Sequence, residues 1–257
     1  MMKLTLLLCC SAALLLCCGL FSLTARGETL PVYCDDWPGF CQQDGRGLYL
    51  DLARHIYQPL GYRIKPQIMP YKRALAMVSK GGQGMTMGVY LNEVEGVRWP
   101  HYPDGADDVT VFMLDKWQAG WQGEQSLAEQ RVLWQRGWAF DKYIGVSMHW
   151  YEVNSHQDAM ALLQKERYRY YLSAGVLHAD ESLPPNMSRV FLRWLPTYPI
   201  FARDEPGLRL QQQWDLGMAR LINSGELTRL YRENKLLDHY HDFLRSLKQK
   251  RESESAR

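Results

Sequence analysis

Cys34 and Cys41 are the first residues in this chain whose type and spacing suggest chemistry. Four of the six cysteines fall in the apolar leader before residue 28, which leaves this pair alone. In an oxidising compartment two remaining cysteines read as a disulfide, with two free thiols as the alternative. Closing so short a loop contributes about 2–3 kcal/mol through chain entropy. The bridge would hold Asp35, Asp36, Trp37 and Pro38 in one turn. There Asp36 can pair with a ligand amine and Trp37 can stack on a ligand; the plainer alternative is a turn aspartate and a half-buried ring.

Arg73 stands in the first turn of a helix opened by Pro70, with Tyr71 just ahead of it. A cation opposes the helix dipole there, so a two-pronged grip on a carboxylate is one reason for it. A solvated arginine beside Lys72 is the other. Tyr90 and Asn92 follow a strand and would line the floor of a cleft, though Tyr90 also suits a core. Arg136, Trp138 and Tyr143 surround the end of a later strand and the helix expected after it, and Ser173 follows the strand 168–172. The seven histidines are scattered, and His239-x-His241 in a helix puts its rings on different faces. There is no glycine-rich phosphate loop, no Cys-x-x-Cys and no serine in a nucleophile elbow, so no cofactor, metal or catalytic residue is expected.

The elements that must carry these residues alternate. Leu30–Tyr33 reads as a strand. Leu48, Leu52, Ile56 and Leu60 recur every four residues as one helical face, stopped by Gly61. Arg63–Met69 is a second strand, a helix follows Pro70, and Met85–Tyr90 is a third strand. This β-α-β-α-β order implies a mostly parallel sheet covered by helices. After an irregular stretch over 91–108 and a strand at Val109–Leu114, a second series starts at Arg131. Its helices are expected at 141–149 and 156–165, and its strands at 168–172, 191–194 and 198–201, the last two separated by a turn at Pro196. The end is helical up to about residue 247, and 248–257 reads as a frayed polar tail.

Lys3, the uncharged run Leu4–Leu23 and Ala25-Arg26-Gly27 have the order of a secretory signal peptide, cut after Gly27. The run is long, so an uncleaved anchor stays open, as does a lipid anchor at Cys17 or Cys18. Without residues 1–27 the chain carries 28 bases against 28 acids, having lost Lys3 and Arg26 from its 30 bases. A neutral chain gives no electrostatic case for binding nucleic acid or anionic membrane.

Three stretches carry a resemblance. Gly47-Leu48-Tyr49-Leu50-Asp51-Leu52, Gly61-Tyr62 with Pro70-Tyr71-Lys72-Arg73-Ala74-Leu75, and Leu221-Ile222-Asn223-Ser224-Gly225-Glu226-Leu227 resemble periplasmic solute-binding proteins of the polar-amino-acid type. The resemblance spans most of the chain after residue 27 in element order. It implies an α/β fold of two lobes joined by two crossing strands, with lobe 1 at 28–112 plus 197–247 and lobe 2 at 113–196. It also implies a monomer that holds a small polar, carboxylate-bearing, amino-acid-like solute in the interlobe cleft for an inner-membrane ABC importer or a sensor ectodomain. The chain departs from the family where Gly84 replaces an acid before the third strand. Tyr90-Leu91-Asn92-Glu93 also stands where a threonine- and arginine-bearing carboxylate grip is usual. A dehydratase built on the same scaffold, using Asp36 and Arg73, is the enzyme alternative. General physics puts the site in the same place, because ligands of open α/β sheets bind beyond the carboxyl ends of strands.

Overall fold

A computed structural model of the chain describes residues 27–255. The expected leader lies outside the described residues, apart from Gly27. Among the described residues no helix is long and apolar enough to cross a membrane.

The chain begins β1 (Thr29–Cys34), α1 (Leu48–Tyr57), β2 (Arg63–Ile68), α2 (Tyr71–Ser79), β3 (Met85–Tyr90) and a short β4 (Val97–Arg98). Next come β5 (Gly105–Leu114), α3 (Asp115–Gln118), β6 (Arg131–Gln135), β7 (His149–Val153), α4 (His156–Gln164) and β8 (Tyr170–Ala174). The long β9 (Met187–Ala202) precedes α5 (Glu205–Asn223), α6 (Glu226–Glu233) and α7 (Leu237–Ser255).

The strands hydrogen-bond in the order β2-β1-β3-β9-β5-β8-β6-β7. This order repeats one pattern twice. In the first half β1 lies parallel between β2 and β3, and β3 meets β9 antiparallel through Met85–Phe201 and Tyr90–Thr197. In the second half β6 lies parallel between β7 and β8, and β8 meets β5 antiparallel through Val109–Ala174 and Phe112–Tyr171. β5 and β9 run antiparallel to each other from Gly105–Thr197 to Leu114–Met187 and so connect the halves. These are two α/β lobes joined by two crossing strands. The residues of β5 and β9 nearest the crossover, Gly105–Asp108 and Trp194–Thr197, pair with each other.

Burial follows the pattern expected of covered parallel strands. β3 and β8 are buried along nearly their whole length, whereas edge strand β2 alternates between exposed and half-buried positions and tolerates Pro66. α5 docks on α1 through the Tyr57 hydroxyl, which donates to the Leu210 carbonyl at 2.8 Å. The Trp214 indole of α5 donates to the Tyr102 carbonyl at 2.9 Å. Phe112, Leu133, Leu163 and Tyr171 form a separate apolar cluster in the second lobe.

Three local expectations change. Residues 141–149 do not form a helix: one 3-10 turn spans Phe140–Lys142, and His149 opens the strand β7. β7 is an edge strand with His149, Trp150 and Tyr151 exposed, so its sequence lacks the alternation that marks a half-buried strand. The strands expected on either side of Pro196 are one strand, because extended backbone accommodates proline wherever its missing N–H is not needed for the ladder. Finally, α7 continues through Ser255 where a frayed tail was expected.

Candidate functional site

A small chamber lies at the crossover. Trp37, Phe40, Tyr49, Tyr71 and Tyr90 wall it from the first lobe, with Gly88 at its floor. Asp107 enters from β5, and Trp138 and Leu177 enter from the second lobe. The space open to a water-sized sphere is about 20 Å³, room for one or two waters. All six rings are buried, with Trp37 the most exposed at 9%.

Each wall has a local cause. The Cys34–Cys41 disulfide closes the loop after β1. Inside that loop Trp37 and Cys41 exchange backbone hydrogen bonds of 2.7 and 2.9 Å. The first N–H groups of α1, on Leu48 and Tyr49, donate to the Gly39 and Phe40 carbonyls at 2.9 and 3.0 Å. The loop and helix are thereby locked together, and the Phe40 and Tyr49 rings pack 5.1 Å apart. Trp37 packs on Tyr71 at 5.4 Å and edge-on to Tyr49 at 6.3 Å. Asp35 accepts from the Tyr71 backbone N–H at 3.0 Å, so this carboxylate already occupies the start of α2.

Gly88 shows how tightly the rings are set. Its φ is +73°, and a Cβ there would sit 2.8 Å from Trp37 Cζ3 and 3.0 Å from Tyr49 Cε2. The register of β3 against β9 shifts at this point, between Thr86 and Val89.

Acids back the aromatic walls. The Tyr90 hydroxyl donates to Asp107 at 2.6 Å and the Tyr71 hydroxyl to Glu93 at 2.7 Å. Asp104 accepts from the Gly88 N–H at 2.8 Å and from the Thr197 hydroxyl at 2.6 Å, and that hydroxyl also lies 3.3 Å from Tyr49 Oη. Burial raises Glu93, Asp104 and Asp107 to about 7 each, against the hydrogen bonds that favour their charged forms. None of the three has an ion-pair partner among the described residues.

Contacts between the lobes flank the chamber. The Tyr143 hydroxyl donates to the Leu91 carbonyl at 3.0 Å, and Lys142 Nζ donates to the Glu93 carbonyl at 2.9 Å. Glu152 of β7 accepts from the Gly137 N–H at 2.8 Å and lies 3.9 Å from Lys72 of α2.

Of the residues singled out from sequence, Trp37, Tyr71, Tyr90 and Trp138 line the chamber. Tyr143 stands behind Tyr90, with ring centres 5.2 Å apart. The others do not line it. Asp36 and Arg73 are exposed, and the Arg73 guanidinium makes no hydrogen bond or ion pair with the described residues. Asn92 sits exposed in the turn after β3 with φ +64°. Arg136 faces outward to Glu152 and Asn154. Ser173 is buried, 3.0 Å from His178 Nε2. Sequence reasoning missed Phe40, Tyr49, Gly88, Asp107 and Leu177. The acidic pair Asp107-Asp108, directly ahead of the apolar run Val109–Leu114, was the available signal for Asp107.

Metal-ligating types meet away from the chamber, where Glu181 contacts His156 at 3.0 Å and His178 at 3.2 Å. Their rings stack at 3.7 Å and 21°, so the lone pairs lie in nearly parallel planes rather than converging on one ion. Burial and the neighbouring His178 lower His156 to about 4. His239 and His241 form no such pair: His239 Nε2 contacts the Ala106 carbonyl at 2.7 Å.

No family model and no curated protein matches the sequence. Solved structures do. The GluR0 ligand-binding core in complex with L-glutamate is 16% identical, with a TM-score of 0.68 over 80% of this chain and 97% of its own. A histidine kinase sensor domain with similarity to periplasmic binding proteins is 17% identical, with a TM-score of 0.66 over 81% and 96%. The amino acid ABC transporter substrate-binding protein AbpA from Streptococcus pneumoniae, bound to L-arginine, is 18% identical, with a TM-score of 0.65 over 83% and 96%. Twin lobes, paired crossing strands, a chamber between them and this set of likenesses lead to one conclusion: the chain has the type 2 periplasmic-binding-protein fold.

Proposed function

We propose that this protein is an exported solute-binding protein whose lobes close on one small polar molecule. The observation that supports this best is the composition of the chamber. Trp37, Tyr71 and Tyr90 come from one lobe and Trp138 from the other, with Asp107 at the crossing strands. A solute touching all of them would bind the closed form better than the open one, and that difference drives closure. A volume near 20 Å³ is too small for an amino acid, so entry requires the lobes to separate. Arg73, the carboxylate anchor expected from sequence, lies outside this chamber, so the amino-acid-like reading rests on the scaffold.

Partners of this scaffold would be an inner-membrane ABC importer or a sensor, and the likeness to a kinase sensor domain supports the second as much as AbpA supports the first. The Cys34–Cys41 disulfide supports residence in an oxidising compartment such as the periplasm. Export through a signal peptide cut after Gly27 and a monomeric state complete the reading. Binding rather than dehydration is favoured because the acid–arginine pair of the enzyme reading, Asp36 and Arg73, is exposed and outside the chamber.

The test is a thermal-shift screen of the purified chain over amino acids, small acids and amines. Hits would then be examined by calorimetry and small-angle scattering. One-to-one binding with a smaller radius of gyration and no loss of ligand absorbance is expected. Consumption of the hit would mean an enzyme, and binding without compaction would remove the closing-lobe account.

A further inference from the structure

From the chamber walls we infer that the solute is a compact organic cation, an ammonium or guanidinium without a carboxylate of its own to anchor. This rests on the solute-binding reading above and specifies its ligand. Three independent features of the walls lead to it.

The first is the ring set. Trp37, Phe40, Tyr49, Tyr71, Tyr90 and Trp138 present π-faces and edges to one small space. Ring faces carry negative quadrupole, and several of them enclosing a desolvated cation are worth more than the same rings in water. An aromatic enclosure also binds neutral apolar solutes, so the rings do not decide the matter by themselves.

The second is the charge. Among the described residues Asp107 is the one carboxyl in the lining, and it accepts from the Tyr90 hydroxyl at 2.6 Å. Glu93 and Asp104 stand behind the rings, and the Tyr71 hydroxyl hands its proton's hydrogen bond outward to Glu93. Hydroxyls that donate to carboxylates leave their rings more electron-rich. Among the described residues no lysine or arginine lines the chamber. Lys72 and Arg136 face Glu152, and Lys142 is turned to the Glu93 carbonyl. Ionising these buried acids is costly, above all Asp104 and Asp107, and a cation in the chamber would offset that cost.

The third is the helix end. The start of α2 is the place where an anionic group would otherwise find free N–H donors, and the Asp35 carboxylate already accepts from Tyr71 N there. The first donors of α1 are likewise taken by the Gly39 and Phe40 carbonyls. An incoming carboxylate would meet Asp107 and aromatic faces with neither a cation nor a free helix end to receive it.

Calorimetry on the purified chain with matched probes tests this. Choline is compared with 3,3-dimethylbutan-1-ol, its uncharged isostere, and agmatine with L-arginine, which differs by a carboxylate; L-glutamate completes the set. At least one of the two cations should bind, at least tenfold tighter than its matched partner. Asp107→Asn should weaken that cation at least tenfold while leaving the uncharged 3,3-dimethylbutan-1-ol within about threefold. If neither cation outbinds its matched partner, or L-glutamate alone binds, the cation inference is overturned and solute binding stands. Failure of all five probes to bind overturns the cation inference, and the wider thermal-shift screen then decides solute binding. An Asp107→Asn protein that melts like the parent but keeps full affinity for the cation also overturns the inference.

Discussion

Gly88→Ala offers a direct measure of how firmly the chamber is set. Gly88 carries a φ of +73° in the middle of β3, and an added Cβ would lie 2.8 Å from Trp37 Cζ3, 3.0 Å from Tyr49 Cε2 and 3.2 Å from Tyr49 Oη. The left-handed backbone costs alanine about 1–2 kcal/mol. Overpacking against rings that are 9% and 3% exposed adds roughly 1–3 kcal/mol, because neither has free space to move into. The total is a loss of about 2–5 kcal/mol. Gly96→Ala is the matched control: its φ is +75° and nothing lies within 4 Å of the added methyl, so only the backbone cost of about 1–2 kcal/mol applies. Equilibrium urea unfolding of both variants, compared at equal m-value, isolates the steric part. Ligand affinity should fall in Gly88→Ala and hold in Gly96→Ala. If the two variants lose the same stability, the rings yield freely and the account of a rigid aromatic enclosure is wrong.

Other outcomes follow from the same contacts. Folded Asp107 keeps its proton to about pH 7, whereas an unfolded aspartate releases it near pH 4. The folded state therefore binds more protons between those limits, and this residue's contribution falls as pH rises through them. His156 and His178 are lowered and act in the opposite direction, so the readout is a difference: Asp107→Asn should gain urea resistance relative to the parent from pH 4 to pH 7, and parallel profiles would contradict this. Replacing Cys34 and Cys41 by serine should cost about 2–3 kcal/mol in the same assay and weaken ligand binding through Trp37, whereas unchanged affinity would show that the loop needs no bridge. Glu152→Gln should release Lys72, its amide oxygen still accepting from the Gly137 N–H, and shift the lobes toward the open form, seen as a larger radius of gyration by scattering. Because the Lys72 contact is exposed, its loss costs less than about 1 kcal/mol, and global stability should barely move.

How much of this was legible beforehand differs by element. The first-lobe series was plain, because Leu48, Leu52 and Ile56 repeat at helical spacing and Met85–Tyr90 is buried on both faces. β7 was not, because an edge strand is defined by its partner β6 and its own residues carry no alternation. The joining of 191–194 to 198–201 was hidden by Pro196, whose tolerance depends on which ladder positions need an N–H. Within the site, Trp37, Tyr71, Tyr90 and Trp138 were found because each follows a strand or opens a helix beside one. Arg73 has the same kind of placement yet is exposed, since sequence position gives a residue's place on the chain but not the direction of its side chain.

Sequence alone determined the alternation of strands and helices and the close spacing of Cys34 and Cys41. These are local or additive properties, readable one residue or one period at a time. Tertiary structure alone decided that the Asp35 carboxylate caps α2, that Arg73 faces solvent, and that Asp107 meets Tyr90 from 17 residues away. Those outcomes depend on which side of a folded surface each group faces. The sign of charge inside the chamber follows from them.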